Sequence, residues 1–174
     1  DYCAGAGGKT LALSAAMENR GQIFAYDSEK SRLAPIFDRL RRADSRNVQV
    51  VSKREDLSSL KDQMDLVLVD APCTGSGTWR RRPDAKWRLS EKQLGVRTRE
   101  QKEILDVASG YVKPGGRLVY ITCSVFSEEN GRQIEAFLSH RPGYVPADHG
   151  SLWAARFPDE TGMARLDGAH GISL

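Results

Sequence analysis

The sequence predicts an α/β fold of the Rossmann type, with a mostly parallel, doubly wound sheet. Two observations support this prediction. Short apolar runs rich in β-branched residues recur along the chain, and segments with helical spacing separate them. Continuous apolar runs are typical of strands that are buried on both faces, as in parallel sheets. The alternation of strand and helix then implies right-handed crossovers.

Four runs are predicted as strands, at residues 22–26, 48–51, 66–69 and 117–122. The first is followed by Asp27, the third by Asp70 and the fourth by Cys123. Ligands of open α/β sheets bind outside the carboxyl ends of the strands. These three side chains are therefore candidates for a functional site.

Helices are predicted at residues 10–19, 28–42, 91–112 and 127–140. Pro35 must then lie in an early turn of the second helix, because proline has no backbone N–H to donate. Ser90 followed by Gln93 resembles a capping box that opens the third helix, and residues 113–116 end it. Residues after about 144 contain many Gly and Pro residues and give no clear element.

The composition is that of one globular domain spanning residues 1–174, with 28% charged and 40% hydrophobic residues. No apolar run approaches the roughly 20 residues of a membrane span, and no signal peptide opens the chain, so no membrane association is expected. The chain starts at Asp1, inside a motif, which indicates a fragment of a longer protein.

Three dispersed cysteines indicate a reducing, cytoplasmic compartment and reactive thiols rather than disulfides. The histidines, His140, His149 and His170, are scattered and have no acids at ligand spacing. They are predicted to be surface or packing residues, and no metal is expected.

Basic residues cluster in two places. The first cluster contains Arg80, Arg81, Arg82, Lys86 and Arg88 and is interleaved with Trp79 and Trp87. Such a mixture suits phosphates together with stacked bases. The second cluster, Arg39, Arg41 and Arg42, is predicted to be a solvated helix face.

A glycine-rich turn precedes the first predicted helix. A phosphate-binding P-loop needs glycine where Cys3 stands, so that pattern fails. The spacing of Gly5, Gly7 and Thr10 instead matches a Rossmann-type turn without its third glycine. Asp27 follows at about the 20-residue distance at which an acid binds ribose hydroxyls. The turn alone does not distinguish NAD from S-adenosylmethionine.

Two cysteines follow strand ends, in Asp70-Ala71-Pro72-Cys73 and in Thr122-Cys123-Ser124. Either one alone is more simply explained as a small buried residue. Together they suit methylation of cytosine at C5, a carbon too weakly nucleophilic to attack a sulfonium methyl group directly. A thiolate that adds to C6 makes C5 nucleophilic, which is covalent catalysis. Asp70 is suitably located in the sequence to hydrogen-bond the ring.

These motifs resemble the RNA cytosine-C5 methyltransferases, in particular the bacterial Fmu (Sun) branch, which acts on small-subunit rRNA and is related to the eukaryotic nucleolar Sun proteins. The resemblance covers residues 1 to about 138. The residues that carry it are Cys3 to Thr10, Asp70 to Thr78, Arg81, Pro83, Asp84, Lys86, Thr122-Cys123-Ser124 and Glu128-Glu129-Asn130.

The resemblance implies a role for each matching residue. Cys123 corresponds to the nucleophile, Cys73 to the cysteine that releases the product, and Asp70 to the acid that holds the base. The implied cofactor is S-adenosyl-L-methionine. The residues expected to bind it are Cys3, Ala4, Gly5, Gly7, Gly8, Lys9, Asp27, Arg32, Asp56, Asp70 and Pro72. The residues expected to contact RNA are Arg80, Arg81, Arg82 and Lys86.

The sequence departs from the family pattern in two respects. The acid on the adenine side is not where the pattern has it, and Asp56 is the substitute chosen here. Most of the first strand and the final strand are missing, with residues 168–174 resembling the lead-in to the latter. Three alternatives stay open: a tRNA substrate, a noncatalytic RNA-binding module, and an NAD-dependent oxidoreductase. The last would not need Asp70-Ala71-Pro72-Cys73.

Overall fold

A computed structural model describes residues 1–147 of the chain. They form two compact units. The first contains Asp1–Ala71 and Ile104–Ile121, and the second contains Pro72–Glu103 and the described residues from Thr122 onward. The predicted elements near residues 168–174, together with His149 and His170, lie outside the described residues.

The first unit contains four strands, β1 (Ile23–Tyr26), β2 (Val48–Val51), β3 (Met64–Asp70) and β4 (Val112–Ile121). β1 pairs with β2 and β3 pairs with β4, both in parallel. In the second pair Asp70 lies opposite Ile121. The predicted α/β class with parallel strands is therefore confirmed.

The first four residues connect the two strand pairs. Tyr2 donates its backbone N–H to Leu68 of β3, at 2.8 Å. Ala4 donates to Tyr26 of β1, at 2.9 Å, and Tyr26 donates to Asp1 at the same distance. The chain therefore runs between β1 and β3 before it turns into the first helix.

Three helices of the first unit pack on β1 and β2. They are α1 (Gly8–Ala16), α2 (Lys30–Leu33) and α3 (Ile36–Arg42). Their buried apolar side chains form one cluster with the strands, consisting of Ala4, Ala25, Leu33, Ile36 and Leu40. Because Ala4 belongs to this core, the glycine turn that follows it is packed next to β1.

The predicted helix at 28–42 is wrong as a single helix, because Pro35 divides it into α2 and α3. Proline cannot donate the N–H that would continue α2, and its φ of −67° suits the start of a new helix. Residue 36 then begins α3 with a fully buried isoleucine.

The first helix begins two residues earlier than predicted and ends at Ala16 rather than at Asn19. Glu18 and Asn19 have positive φ values of 52° and 58°, so the chain leaves the helix before Arg20. Asn19 tolerates this conformation because its side chain hydrogen-bonds locally. Its carbonyl oxygen accepts from the hydroxyl of Ser14 at 3.1 Å and from the N–H of Arg46 at 2.9 Å.

The long helix α5 spans Glu91–Ser109, with its first part in the second unit and its last turns in the first. Its N-terminus follows the prediction, because Gln93 donates its N–H to the Ser90 hydroxyl at 3.3 Å. The predicted end at residue 112 is wrong. The carbonyl of Tyr111 already accepts from Met64 at 2.9 Å, which starts β4 at Val112.

The predicted start of β4 at residue 117 is also too late. Val112 pairs with Met64 and Arg117 with Leu66, so residues 113–116 form an irregularity inside the strand. Gly115 allows it, with φ of 76°. The Lys-Pro-Gly-Gly sequence is therefore a bulge in β4 and not a turn that precedes it.

The second unit contains α4 (Asp84–Arg88), α6 (Gly131–His140) and 3₁₀ turns at Ser76–Thr78 and Ser127–Glu129. The helix predicted at 127–140 is interrupted at Asn130, with φ −121° and ψ −103°. The Asn130 side chain accepts from Thr122 and donates to the carbonyls of Ser124 and Phe126. These bonds hold the loop that follows β4.

Candidate active site

The glycine turn is held by Asp27, which is only 3% exposed. Its Oδ2 accepts the N–H of Gly5 at 2.9 Å, and its Oδ1 accepts the N–H of Glu29 at 2.9 Å. Both carboxylate oxygens thus order the chain on either side of β1. Each oxygen also has a second lone pair, so the expected bond to a ribose hydroxyl stays a prediction.

Gly7 is required by packing. Its φ is +81°, and a Cβ atom there would lie 2.4 Å from Cγ1 of the buried Ile36. Gly7 is therefore a structural residue that lets α1 begin next to α3. Gly8 differs, because a Cβ atom at this position would have no atom within 4 Å.

We expect Gly7→Ala to destabilise the protein by at least about 2 kcal/mol, because overpacking adds to the strain of a left-handed residue. Urea unfolding without ligand would measure this. Gly8→Ala is the matched control and should cost less than about 0.5 kcal/mol. Equal destabilisation by both substitutions would contradict the packing argument.

A cleft of about 290 Å³ opens at the glycine turn of the first unit. Its lining contains Cys3, Ala4, Gly5, Ala6, Gly8, Lys9, Arg32 and Asp70. Most residues predicted to bind the cofactor thus meet in one place. Gly7 and Asp27 support the turn instead of lining the cleft, and Asp56 lies exposed in a 3₁₀ segment, Arg54–Leu60.

Lys9 and Asp70 face each other in this cleft. The Lys9 Nζ atom lies 2.5 Å from Oδ2 of Asp70, and both side chains are partly exposed. The ion pair fixes the Asp70 carboxylate at the end of β3 and leaves Oδ1 for another partner. The cleft therefore presents an oriented carboxylate to a ligand.

Cys3 lines the same cleft. Burial, together with the carboxylates of Asp27 and Asp70, raises the pKa of its thiol to about 12. A thiol with this pKa stays protonated at neutral pH and is a poor nucleophile. Cys3 is therefore a packing residue of the cleft wall.

The two remaining cysteines meet in the second unit. The Sγ atoms of Cys73 and Cys123 are 3.1 Å apart, and the backbone N–H of Cys123 lies 3.4 Å from the Cys73 sulfur. Each cysteine follows its strand by two or three residues, and the strands pair with Asp70 opposite Ile121. Strand pairing therefore explains why two cysteines 50 positions apart in sequence come together.

The two sulfurs are not equivalent. The hydrogen bond to Cys123 raises the pKa of Cys73, and burial raises it further. Either sulfur can donate the hydrogen bond that joins them. Cys123 is the exposed member of the pair, which makes it the more accessible nucleophile.

The turn after Cys73 approaches Cys123 closely. Gly77 donates its N–H to the Cys123 carbonyl at 2.9 Å. Gly75 has φ of +69°, and a Cβ atom on it would lie 3.9 Å from the Cys123 sulfur. The positive φ of Gly75 and the backbone bond of Gly77 thus bring this turn next to Cys123.

Sequence reasoning missed two polar side chains that support these loops, Gln101 and Glu129, each fully buried. The sequence contained one signal for the second, because Glu129 belongs to a motif that had been noted without a role. Gln101 gives no such signal, since glutamine is common on exposed helix faces.

The predicted RNA-contacting residues Arg80, Arg81, Arg82 and Lys86 are all exposed. Lys86 lies 5.8 Å from the ring centre of Trp79 and 5.6 Å from that of Trp87. Trp87 itself is 82% exposed. The patch thus combines cations with an uncovered aromatic face.

In the second basic cluster Arg41 and Arg42 are exposed, as predicted, whereas Arg39 is partly buried. Arg41 pairs with Asp38 one helical turn away, and Arg39 donates to the carbonyl of Ala6 at 3.0 Å. His140 packs its ring edge-on to Phe137 at the end of α6, at 6.0 Å. Within residues 1–147, no cluster of His, Cys, Asp and Glu suits a metal ion, and no helix is long and apolar enough to cross a membrane.

The comparisons with known proteins agree with this geometry. The chain is 39% identical over 172 residues to ribosomal RNA small subunit methyltransferase B of Salmonella arizonae and 37% identical to that of Escherichia coli. In both cases the match covers 97% of this chain and 38% of the relative. The chain thus spans well under half the length of these relatives.

Solved structures show the same fold. The crystal structure of PH0851 matches with a TM-score of 0.73 and 40% identity, over 78% of this chain and 31% of the other. NSun6 from Pyrococcus horikoshii, solved with SFG, matches with a TM-score of 0.67 and 31% identity, over 80% and 36%. The fold is therefore that of the S-adenosylmethionine-dependent methyltransferases, as predicted.

Residues 1–149 match the family described as 16S rRNA methyltransferase RsmB/F. This match covers the glycine turn and both cysteine loops. It confirms the resemblance found in the sequence, and the chain belongs to the 16S rRNA methyltransferase RsmB/F family.

Proposed function

We propose that the protein containing this chain methylates C5 of a cytosine in small-subunit rRNA, with S-adenosylmethionine as methyl donor. The observation that carries the proposal is the 3.1 Å contact between the sulfurs of Cys73 and Cys123. A binding module needs neither thiol, whereas covalent activation of cytosine uses one thiol to add and benefits from another at release. The names of the relatives support rRNA as the substrate. Action on ribosomal RNA also agrees with a cytoplasmic location.

The cleft fits the proposed cofactor. Its floor is backbone, because Gly5 and Gly8 have no side chains and the space beside Gly8 is open. The start of α1 directs peptide N–H groups towards this space, which suits a carboxylate. Asp27 would bind the ribose and Asp56 the adenine side. When bound, the cofactor supplies a methyl group carried on a positively charged sulfur.

Cys123 is the nucleophile of the proposed reaction. Its thiolate forms a bond to C6 of the cytosine, and the electrons of the C5–C6 double bond shift towards C5 and the ring. N3 gains negative charge as the adduct forms and takes up a proton from solvent. The Asp70 carboxylate would then accept hydrogen bonds from the N3–H group and from the exocyclic amine and stabilise this adduct. Lys9 holds the Asp70 carboxylate in a fixed orientation for this contact.

Cys73 assists the second half of the reaction. After methylation C5 loses its proton to a base, the bond between C6 and the Cys123 sulfur breaks, and the C5–C6 double bond re-forms. The departing sulfur becomes negatively charged. The Cys73 thiol, which stays protonated, can donate a hydrogen bond to that sulfur and speed its departure.

Incubation of the full-length protein with methyl-labelled S-adenosylmethionine and RNA would test the proposal. We expect label in small-subunit rRNA, less or none in tRNA, and none in rRNA already methylated at the target C5. A thermal-shift comparison should show stabilisation by S-adenosylmethionine and not by NAD. Labelling of no RNA would instead favour a noncatalytic RNA-binding module, and labelling of tRNA alone would change the substrate.

RNA contact is proposed for the basic patch around α4. We expect Arg81→Ala together with Arg82→Ala to weaken RNA binding about three- to tenfold near 0.1 M salt, because phosphate contacts are lost. The slope of log Kd plotted against the logarithm of the salt concentration should decrease by about 1 to 2. Filter binding at several salt concentrations measures both quantities.

The matched control removes the same charge elsewhere, with Arg41→Ala and Arg42→Ala on α3. This pair should leave affinity and salt dependence nearly unchanged. If the two double variants weaken binding equally, only net charge matters and the patch is not the contact.

A further inference from the structure

Glu129 is a carboxylate buried in the second unit, with 0% of its surface exposed. Glutamate is almost never fully buried unless its oxygens are bonded. Oε1 accepts the backbone N–H of Thr74 at 2.8 Å and the amide of Gln101 at 2.9 Å. Oε2 accepts the Thr74 hydroxyl at 2.5 Å. The carboxylate therefore anchors the residue that directly follows Cys73.

Gln101 anchors the residue on the other side of Cys73. Its side chain is fully buried on α5, and its Nε2 atom donates to the Pro72 carbonyl at 2.9 Å as well as to Glu129. Both neighbours of Cys73 are therefore tied to the same pair of buried side chains. The backbone of Cys73 has little freedom to move while these bonds hold.

The same network continues into the loop that contains Cys123. Glu129 lies six positions after that cysteine, in the 3₁₀ turn Ser127–Glu129. Between them, the Ser124 hydroxyl lies 3.0 Å from that of Ser76, which accepts the N–H of Val125 at 2.9 Å. The two cysteine loops are thus cross-linked by polar bonds on both sides of the sulfurs.

We propose that Glu129 is a positioning residue, which acts through Thr74 and Gln101 to hold the Cys73 thiol against Cys123. A consequence for catalysis rests on the proposed function: Glu129 should affect product release and not the initial addition. Attack by Cys123 does not use the Cys73 thiol, whereas release benefits from Cys73 close by. Loss of the anchor should therefore slow release more than addition.

The first readout needs neither RNA nor cofactor. Diamide oxidises two neighbouring thiols to a disulfide and takes up their two protons and two electrons, and the rate depends on how often the sulfurs meet. We expect the Cys73–Cys123 disulfide to form at least about tenfold more slowly in Glu129→Ala than in the full-length wild type. Glu129→Gln, which keeps the shape and can still bond Thr74, should recover most of the rate.

The control is Glu128→Ala. Glu128 is the neighbouring glutamate, and its carboxylate pairs with Arg132 at the surface rather than with a cysteine loop. This variant should oxidise like the wild type. Thr74→Val removes the hydroxyl contacts with Glu129 and Ser124 but keeps the backbone bond to Glu129, so it should show a smaller slowing. Together with Glu129→Gln it decides the question if Glu129→Ala does not fold.

The second readout is the fraction of enzyme bound to RNA on a denaturing gel during turnover with unmodified rRNA. Glu129→Ala should raise this fraction and lower turnover, which a loss of stability alone would not do. Wild-type oxidation rates in both Glu129→Ala and Thr74→Val would overturn the inference, even if methylation is intact. A wild-type enzyme that methylates no RNA would overturn the proposed function, while the oxidation rates would still decide the positioning role.

Discussion

Cys123→Ser is expected to lower the rate of methyl transfer by at least about a thousandfold, because a hydroxyl is a far weaker nucleophile than a thiolate at neutral pH. The substitution keeps the volume of the side chain. Since Cys123 does not line the cleft at the glycine turn, affinity for S-adenosylmethionine should stay within about twofold. Single-turnover labelling of rRNA gives the rate, and calorimetry gives the affinity.

The separation of these two quantities makes the result specific. A variant that lost both activity and cofactor binding would be misfolded, and its thermal midpoint would reveal this. A variant that kept methylation within tenfold of the wild type would mean that Cys123 is not the nucleophile. In that case the role would pass to Cys73.

The parallel strand pattern was predictable from sequence because buried strands leave a local signal. β2 has the predicted bounds, 48–51, since its apolar run lies between polar segments on both sides. The failures lie where backbone conformation competes with side-chain periodicity. The apolar spacing of residues 28–42 continues across Pro35, although the missing N–H divides the helix there.

β4 fails for a different reason. Its first residue pairs with Met64 across an irregularity of four residues, and such long-range pairing has no local signature. Residues Lys113 to Gly116 have the proline and glycines that are typical of a turn, but they lie within β4. The partner strand, which is far away in sequence, decides where this strand begins.

The candidate site also has features that the sequence predicts and features that it does not. Topology makes the meeting of Cys73 and Cys123 predictable, because parallel strands end at one edge and both cysteines follow such ends. Which of the two sulfurs is the more exposed was not predictable from the sequence, since exposure depends on how the two loops pack. The contacts of Gln101 and Glu129 with Pro72 and Thr74 were not predictable from sequence, although Glu129 lies in a motif that the sequence shows.

Cys73→Ala is expected to trap the enzyme on its substrate. Cys123 keeps its reactivity, so addition to C6 should proceed, while the departing sulfur loses the thiol that stabilises its charge. General acid–base assistance contributes typically about a hundredfold or more, so multiple turnover should fall by at least that factor. A band of enzyme covalently bound to unmodified rRNA should then accumulate on a denaturing gel.

The trapped band identifies the roles of both sulfurs in one experiment. It should require S-adenosylmethionine for maximal yield and disappear in the double variant Cys73→Ala with Cys123→Ser. Rapid turnover by Cys73→Ala without a band would show that release does not need the second thiol. A band formed by Cys123→Ser and lost in Cys73→Ala would exchange the two roles. The greater exposure of Cys123 argues against that exchange, because the more accessible sulfur is the one that reaches the base.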